Sequence, residues 1–379
     1  MPKKVCISDF HLEGGGVLRN AFIVYHSWGS LNRMGDNVIV VCHSLTSDSD
    51  AASWWSSLIG PERVLDTDHY FVICLNTVGS PYGSVSPLSI NPDTGASYGA
   101  RFPDVTNRDT IRAHREALRI LGVRKLALAI GGSMGGMQVL EWGFHGDFVD
   151  ALIPIAVGGK HAPWGIAWTE AQRQAIYADP KWKDGNYPPD DAPVDGLAVA
   201  RMMAIISYRS PIEFEDRFGR RPSSDGHPGF SVESYLRHHG QKLVDRFDAN
   251  CYVHLTKQMN SHDVSRGRGQ YEKVLGQLSQ RVLVIGVSSD MLYPIEEQKE
   301  LASLLPNADL KIIDAPFGHD SFLVVADQID RVIRPFIELL VVVGERGGQE
   351  SAVARSTSTI QTLNGAKTCF PIQSELISN

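Results

Sequence analysis

The sequence predicts an α/β protein with a mostly parallel central sheet, an antiparallel N-terminal edge and a helical lid inserted late in the sheet. Short, β-branched apolar runs alternate with helical stretches along most of the chain. Continuous apolar runs are typical of strands covered on both faces, and their alternation with helices indicates a doubly wound parallel sheet. The alternation stops between about 160 and 278, where Trp, Tyr and polar residues in helical patterns replace it.

The predicted strands and helices follow one another in a simple order. Residues 5–29 contain two strands around a Gly-rich turn, which predicts the antiparallel edge. Residues 106–122 form a helix that ends with Gly122 in the position after its C-cap. The predicted strands of the core cover residues 37–43, 70–76, 124–132, 150–159, 281–290 and 310–316.

Changes of composition divide the chain into four parts. The segment between about 160 and 278 is helical and contains a Gly/Pro-rich loop at 222–229. The C-terminal end is polar and rich in Ser, Thr and Gly, which predicts a flexible tail. The predicted parts are the first part of the core (1–159), the helical lid (160–278), the second part of the core (279–344) and the tail (345–379).

Composition excludes several classes of function. The chain has 379 residues and a net charge of −7, which argues against nucleic acid or an anionic membrane as the main partner because phosphate binding needs a basic face. Its five cysteines include no CxxC pair, so no disulfide framework or zinc site is expected. No apolar run has the length of a signal peptide core or a membrane span, and we expect a cytoplasmic protein without a metal.

A G-x-S-x-G pattern at 131–135 is the most informative feature of the sequence. The pattern alone recurs by chance, but here an apolar strand precedes it and the helix-forming run 137–142 follows it. This strand–turn–helix context is what a nucleophile elbow requires, and it predicts Ser133 as a nucleophile on an α/β-hydrolase fold. The alternative is a Gly-rich turn with a capping serine.

The partners of the nucleophile are expected downstream in the order Ser, Asp, His. Asp290 follows one predicted strand and His319 lies in a loop after the next, so Asp290 would orient the imidazole and His319 would take the proton of Ser133. Two rivals remain. Asp314 lies within or at the end of its strand, and His262 precedes the aspartate and breaks the expected order.

An acyl-transfer site also needs backbone N–H groups that stabilise an oxyanion. In this fold they come from the residue after the nucleophile and from the loop after an earlier strand. Met134 and Leu45 are the candidates. The neighbouring His43 is open to two interpretations, a residue packed at the strand end or a direct catalytic group.

With these residues identified, the chain resembles the homoserine O-acetyltransferase family from about residue 10 to 340. The resemblance rests on many blocks in the same order, and the block at 76–103 is most similar to the fungal branch, which includes deacetylcephalosporin C acetyltransferases. The matching blocks are YHSWGSLN (25–32), HSLT (43–46), 76–103, GGSMGGMQVLEW (131–142), ARMMAIISYRS (200–210), SSDMLYP (288–294) and GHDSF (318–322).

The resemblance implies the chemistry and the acceptor site. Family members move acetyl from acetyl-CoA, a co-substrate rather than a permanently bound cofactor, through an acyl-serine, and their triad corresponds to Ser133, Asp290 and His319. The carboxylate of a small hydroxyl-bearing amino-acid acceptor would be held by Arg201 and Tyr208, and its ammonium by Asp320. A guanidinium can grip a carboxylate in a bidentate manner, which suits this role.

Several alternatives stay open at this point. The acceptor could be homoserine, a larger secondary-metabolite alcohol, or water in an esterase; a binding protein on an inactive scaffold is disfavoured because every triad position is present. The lid loop at 219–232 is shorter than in fungal homoserine enzymes, and the tail after about 345 resembles nothing in the family. A homodimer through the lid is a further option.

Overall fold

A computed structural model describes residues 1–223 and 228–340. The chain divides into two compact units, Met1–Ile333 and Arg334–Asn379. In the second unit the described residues, 334–340, are helical. The predicted tail at 345–379 and the centre of the predicted loop at 222–229 lie outside the described residues.

The first unit is built on an eight-stranded sheet in the order β1-β2-β6-β3-β7-β8-β9-β10, with the short β4 and β5 forming a separate parallel pair. The strands are β1 (Lys3–His11), β2 (Val17–Trp28), β3 (Val38–Cys42), β4 (Ile59–Gly60), β5 (Leu65–Asp66), β6 (Phe71–Leu75), β7 (Leu126–Gly132), β8 (Ala151–Ile155), β9 (Arg281–Val287) and β10 (Ala308–Ile313).

The sheet has two kinds of pairing. β1 pairs with β2 and β2 with β6 in antiparallel fashion, whereas every pairing from β6 to β10 is parallel. All residues of β3 and β8 are buried, because helices cover both faces of the sheet there. The predicted fold class, a mostly parallel sheet with an antiparallel N-terminal edge, is confirmed.

Apart from short 3-10 helices and the helix at 326–333, this unit has eleven α-helices within the described part of the chain. They are α1 (Ala51–Trp54), α2 (Asn107–Ile120), α3 (Met134–Gly143), α4 (Pro163–Tyr177), α5 (Val194–Tyr208), α6 (Pro211–Phe218), α7 (Ser231–Val244), α8 (Ala249–Asn260), α9 (Tyr271–Leu275), α10 (Ile295–Leu304) and α11 (Ser321–Val324). Residues 326–333 are also helical. No helix in residues 1–223 and 228–340 is both long and apolar enough to cross a membrane.

Local signals fix the ends of α2, which covers the sheet beside the elbow helix α3. The Thr106 hydroxyl accepts from the Asp109 N–H at 3.1 Å and the Asp109 carboxylate accepts from the Thr106 N–H, which is a capping box. Gly122, at φ +87°, ends the helix as predicted, since a left-handed residue after the C-cap favours glycine.

The segment between β8 and β9 is helical, as its composition predicted. It contains α4 to α9, and α5 packs between α4 and α7. We call residues 160–278 the helical insertion.

Candidate active site

Ser133 lies at a sharp turn between the last residue of β7 and the first residue of α3. Its backbone has φ 58° and ψ −125°, a region that non-glycine residues rarely occupy and that costs about 1–3 kcal/mol. The Ser133 N–H donates to the carbonyl oxygen of Ile155 on β8 at 3.0 Å and so fixes the turn. A strained serine at a strand-to-helix turn is the geometry of a nucleophile elbow.

Two glycines allow this turn to pack against β3. A Cβ atom on Gly135 would lie 2.1 Å from the carbonyl oxygen of Cys42, and one on Gly131 would lie 2.5 Å from the same atom. Real Cβ atoms do not approach so closely. The spacing of the G-x-S-x-G pattern therefore has a steric cause: both glycines border the end of β3.

Asp290 and His319 form a buried hydrogen-bonded pair. The His319 Nδ1 atom donates to the Asp290 Oδ2 atom at 2.7 Å. The Asp290 Oδ1 atom accepts from the N–H groups of Leu292 and Tyr293 at 2.8 and 2.9 Å, which aims the carboxylate at the imidazole. Asp314 is exposed instead and accepts from the Ser288 hydroxyl, so the structure brings Asp290 rather than Asp314 to the histidine.

The surroundings of His319 favour a basic imidazole that is held in place. The rings of Tyr208, Tyr293 and Phe322 lie 5.7, 5.2 and 5.7 Å from the imidazole, centroid to centroid. Burial by itself lowers the pKa of His319, but the charge and hydrogen bond of Asp290 outweigh it and leave this pKa raised above 6.5. The Nε2 atom is buried and makes no hydrogen bond to any described residue.

One cavity brings together residues from distant parts of the chain. Ser133 and His319 both line it, although no hydrogen bond is present between the serine hydroxyl and Nε2. Leu45 lines it as well, while Met134 begins α3, and the first N–H groups of a helix have no partner within it. The cavity is lined by Ser44, Leu45, Thr46, Ser47, Ser133, Arg201, Tyr208, Arg246, His319, Asp320, Phe322 and Leu323.

The residues expected to bind the acceptor lie in this cavity. Arg201 and Tyr208 are two turns apart on α5, and the guanidinium carbon of Arg201 lies 5.6 Å from the centre of the Tyr208 ring. Burial raises the pKa of Tyr208 to about 12, so its hydroxyl is neutral and able to donate. Asp320 pairs with Arg209 at 3.3 Å, and Arg209 also pairs with Glu213 at 3.1 Å. Opposite charges thus border the cavity.

Two other histidines have structural partners. The His43 Nε2 atom accepts from the Thr77 N–H and its Nδ1 atom donates to the Ser44 carbonyl, each at 2.9 Å, while burial lowers its pKa. Both nitrogens are therefore used, which favours the interpretation of His43 as a packed residue. His262 bonds to the Gly158 carbonyl at 2.9 Å and does not line the cavity.

Sequence reasoning missed Arg246, which lines the cavity from the loop after α7. No motif or periodicity marks this arginine. Its partner lies 200 residues away in the chain, on the loop after β3, so only the folded structure relates the two. In residues 1–223 and 228–340 there is no cluster of three or more His, Cys, Asp or Glu side chains that could hold a metal ion.

Comparison with known proteins first identifies the fold class of this protein. A family model described as the alpha/beta hydrolase fold matches residues 37–325. The structure is similar to homoserine O-acetyltransferase from Bacillus anthracis, with a TM-score of 0.84 and 25% identity over 89% of this chain and 97% of that one. It is similar to esterase E22 with a TM-score of 0.83 and 26% identity, over 89% and 99% of the two chains. Fold and comparison together define an α/β hydrolase.

Sequence relatives then give the family. The homoserine O-acetyltransferase of Salinibacter ruber is 56% identical over 340 residues, covering 88% of this chain and 96% of that protein. The homoserine O-acetyltransferase of Trichormus variabilis is 49% identical over 332 residues, covering 87% and 92%. The chain belongs to the homoserine O-acetyltransferase family, as its sequence blocks predicted. The particular likeness of residues 76–103 to the fungal branch stays a prediction.

Proposed function

We propose that this protein transfers acetyl from acetyl-CoA to the hydroxyl of L-homoserine through an acetyl-Ser133 intermediate. The observation that carries the proposal is the single cavity lined by Ser133 and His319 together with Arg201 and Asp320. A nucleophile with its base lies beside a cation and an anion, as an amino-acid acceptor requires. The close relatives named homoserine O-acetyltransferase support the same acceptor.

In the first half-reaction, His319 Nε2 takes the proton of Ser133 Oγ while Oγ attacks the thioester carbonyl carbon. Negative charge develops on the carbonyl oxygen, where the N–H groups of Leu45 and Met134 stabilise it. Collapse of the tetrahedral intermediate breaks the carbon–sulfur bond, and CoA leaves as its thiol with the proton that His319 carried. Asp290 stabilises the transient imidazolium and holds the imidazole ring through its bond to Nδ1.

In the second half-reaction, Arg201 and Tyr208 hold the acceptor carboxylate and Asp320 holds its ammonium. His319 takes the acceptor hydroxyl proton, the oxygen attacks the acyl carbon, and Ser133 Oγ leaves with that proton. Arg209, which pairs with Asp320 at 3.3 Å, keeps this carboxylate in place. One nucleophile serving two substrates in turn predicts ping-pong kinetics.

The helical insertion acts in this proposal as a lid. It supplies Arg201 and Tyr208 to a cavity whose nucleophile belongs to the core. An acyl-enzyme survives long enough to meet an alcohol only where water is kept out.

Helices α4, α5 and α6 also expose Trp164, Ile206 and Ile212, which supports a homodimer through the insertion. Sedimentation velocity of the full chain measures the oligomeric state.

The test is release of CoA thiol from acetyl-CoA with homoserine, serine, a deacetylated cephalosporin alcohol and water as separate acceptors. We expect homoserine to be preferred and Ser133→Ala to form no acetyl adduct by mass spectrometry. Water is the second candidate acceptor because a structural neighbour is an esterase. A rate with homoserine no higher than with water would overturn the homoserine assignment, and an adduct in Ser133→Ala would overturn the nucleophile.

A further inference from the structure

Arg246 contacts the loop that carries Leu45. Its Nη1 atom donates to the carbonyl oxygen of Thr46 at 2.7 Å. An arginine side chain is always charged, so this is a charge-assisted hydrogen bond, which is shorter and about twice as strong as a neutral one. The bond joins the helical insertion to the loop after β3.

Thr46 lies within a tight turn. The Ser47 N–H donates to the Ser44 carbonyl at 3.1 Å, which closes a turn with Leu45 and Thr46 at its centre, and the hydroxyls of Ser44 and Ser47 lie 2.9 Å apart. The peptide between Thr46 and Ser47 is planar and is thus held at both ends, its N–H by Ser44 and its carbonyl by Arg246. The orientation of the Leu45 N–H depends on this turn.

The Arg246 side chain is itself held by its neighbours, although the residue is exposed. Nη1 also contacts the hydroxyl of Tyr82, and the guanidinium carbon lies 5.9 Å from the centre of that ring. The Tyr82 hydroxyl donates to the same Thr46 carbonyl at 3.3 Å, and the ring of Phe247 packs edge-on against Tyr82 at 5.7 Å. Tyr82 and Phe247 therefore keep the guanidinium against the turn.

Arg201 differs from Arg246 in this respect. Its contact with the same loop residue is a hydrogen bond of 3.5 Å from Nη1 to the Thr46 hydroxyl, at the outer limit of hydrogen-bond length. Arg201 therefore retains its donors for an anionic substrate group, whereas the Nη1 donor of Arg246 is bonded to the protein backbone.

We propose that Arg246 is a positioning residue that fixes the 44–47 turn so that the Leu45 N–H points at the oxyanion. The inference rests on the proposed function in taking Leu45 as an oxyanion donor. An oxyanion forms in both half-reactions. A displaced turn therefore slows acetylation and deacetylation of Ser133 equally, whereas a residue that binds one substrate affects only the step using that substrate.

The experiment compares Arg246→Ala, Arg246→Lys and the wild type in single turnovers. Acetylation is followed with acetyl-CoA and with an activated aryl acetate, and deacetylation with homoserine and with water. We expect Arg246→Ala to slow all four by about 10- to 100-fold, below the 10²- to 10³-fold loss caused by removal of an oxyanion donor. KM values should change little, and Arg246→Lys should recover most of the rate.

Every other pattern overturns the proposal. An effect confined to the KM of acetyl-CoA would make Arg246 a donor contact, one confined to homoserine would make it an acceptor contact, and unchanged rates would give it no role. Should Arg246→Ala fail to fold, Arg246→Gln keeps a donor without the charge and must show the same equal slowing. The aryl acetate and water need neither CoA nor homoserine, so this test remains valid if the homoserine assignment fails.

Discussion

Asp290 accepts three hydrogen bonds, two from backbone N–H groups and one from His319 Nδ1. Asp290→Asn would keep the shape but present an amide to Nδ1, which favours the tautomer with the proton on Nε2 and leaves only a minor fraction of His319 able to act as the base. We expect kcat to fall by about 10⁴-fold with the fold intact, by analogy with loss of the orienting carboxylate in other triads. Steady-state kinetics with circular dichroism measures both. Asp314→Asn is the matched control and should remain near wild type.

The pH profile follows from the same pair. Because Asp290 raises the pKa of His319 above 6.5, the neutral imidazole is lost, and kcat/KM for acetyl transfer falls, as the pH drops through that raised value. In Asp290→Asn the main cause of the increase is gone while burial still lowers the pKa, so the acidic limb of the residual activity should move to lower pH. If the acidic limb lies at the same pH in Asp290→Asn and in the wild type, His319 is not the titrating base.

At the scale of single elements, the elbow joins β7 and α3 under strain. We expect substitution of its glycines to lower the free energy of unfolding. Gly135→Ala places a Cβ atom 2.1 Å from the Cys42 carbonyl, so β3 and α3 must move apart. Overpacking of this kind costs about 1–3 kcal/mol in the free energy of unfolding. Gly14→Ala, where no atom lies within 4 Å of the added Cβ, is the control and should be close to neutral. Urea unfolding of both variants measures the difference.

Helix α5 carries the proposed acceptor site. Arg201→Ala should leave acetylation of Ser133 by acetyl-CoA near normal and reduce kcat/KM for homoserine by about 30- to 1,000-fold, because a charge-assisted bidentate contact is lost. Arg220→Ala changes an exposed arginine of the same insertion and should alter neither step. Equal slowing of both steps in Arg201→Ala would assign the residue to the lid or the CoA site.

These elements also explain what could be predicted from the sequence. The apolar runs at 37–43 and 124–132 became β3 (Val38–Cys42) and β7 (Leu126–Gly132), because strands buried on both faces need no polar alternation. The short pair β4 and β5 has no such run and was not predicted. Ser133 and His319 could be proposed from the sequence because each follows a strand in an order that the fold dictates.

At the scale of the whole molecule, contacts between the core and the helical insertion have no local signal. Arg246 reaches Thr46 and Arg209 reaches Asp320 only after the insertion has packed on the core. Periodicity identifies which face of a helix is buried, but it does not say which distant loop that face meets. The sequence therefore does not predict the contacts between the insertion and the core, where part of the cavity forms.

One ion pair between the insertion and the core can be tested for its effect on stability. Glu141 on α3 is buried, and Arg268 of the insertion grips it with two hydrogen bonds of 3.0 and 2.7 Å. The guanidinium carbon of Arg268 also lies 3.8 Å from the centre of the Phe144 ring. Arg268→Ala leaves the carboxylate buried with only Arg108, at 3.7 Å, as a cationic neighbour among the described residues.

Loss of one partner of a buried pair typically costs 3–5 kcal/mol, and we expect about 2–4 kcal/mol for Arg268→Ala because Arg108 remains. Arg119→Ala removes an arginine that pairs with Glu116 on the exposed face of α2 and should cost much less, because exposed ion pairs contribute little to stability. Urea unfolding at neutral pH gives both values. Equal destabilisation by the two substitutions would mean that the Glu141 pair is as solvated as a surface pair and does not tie the insertion to the core.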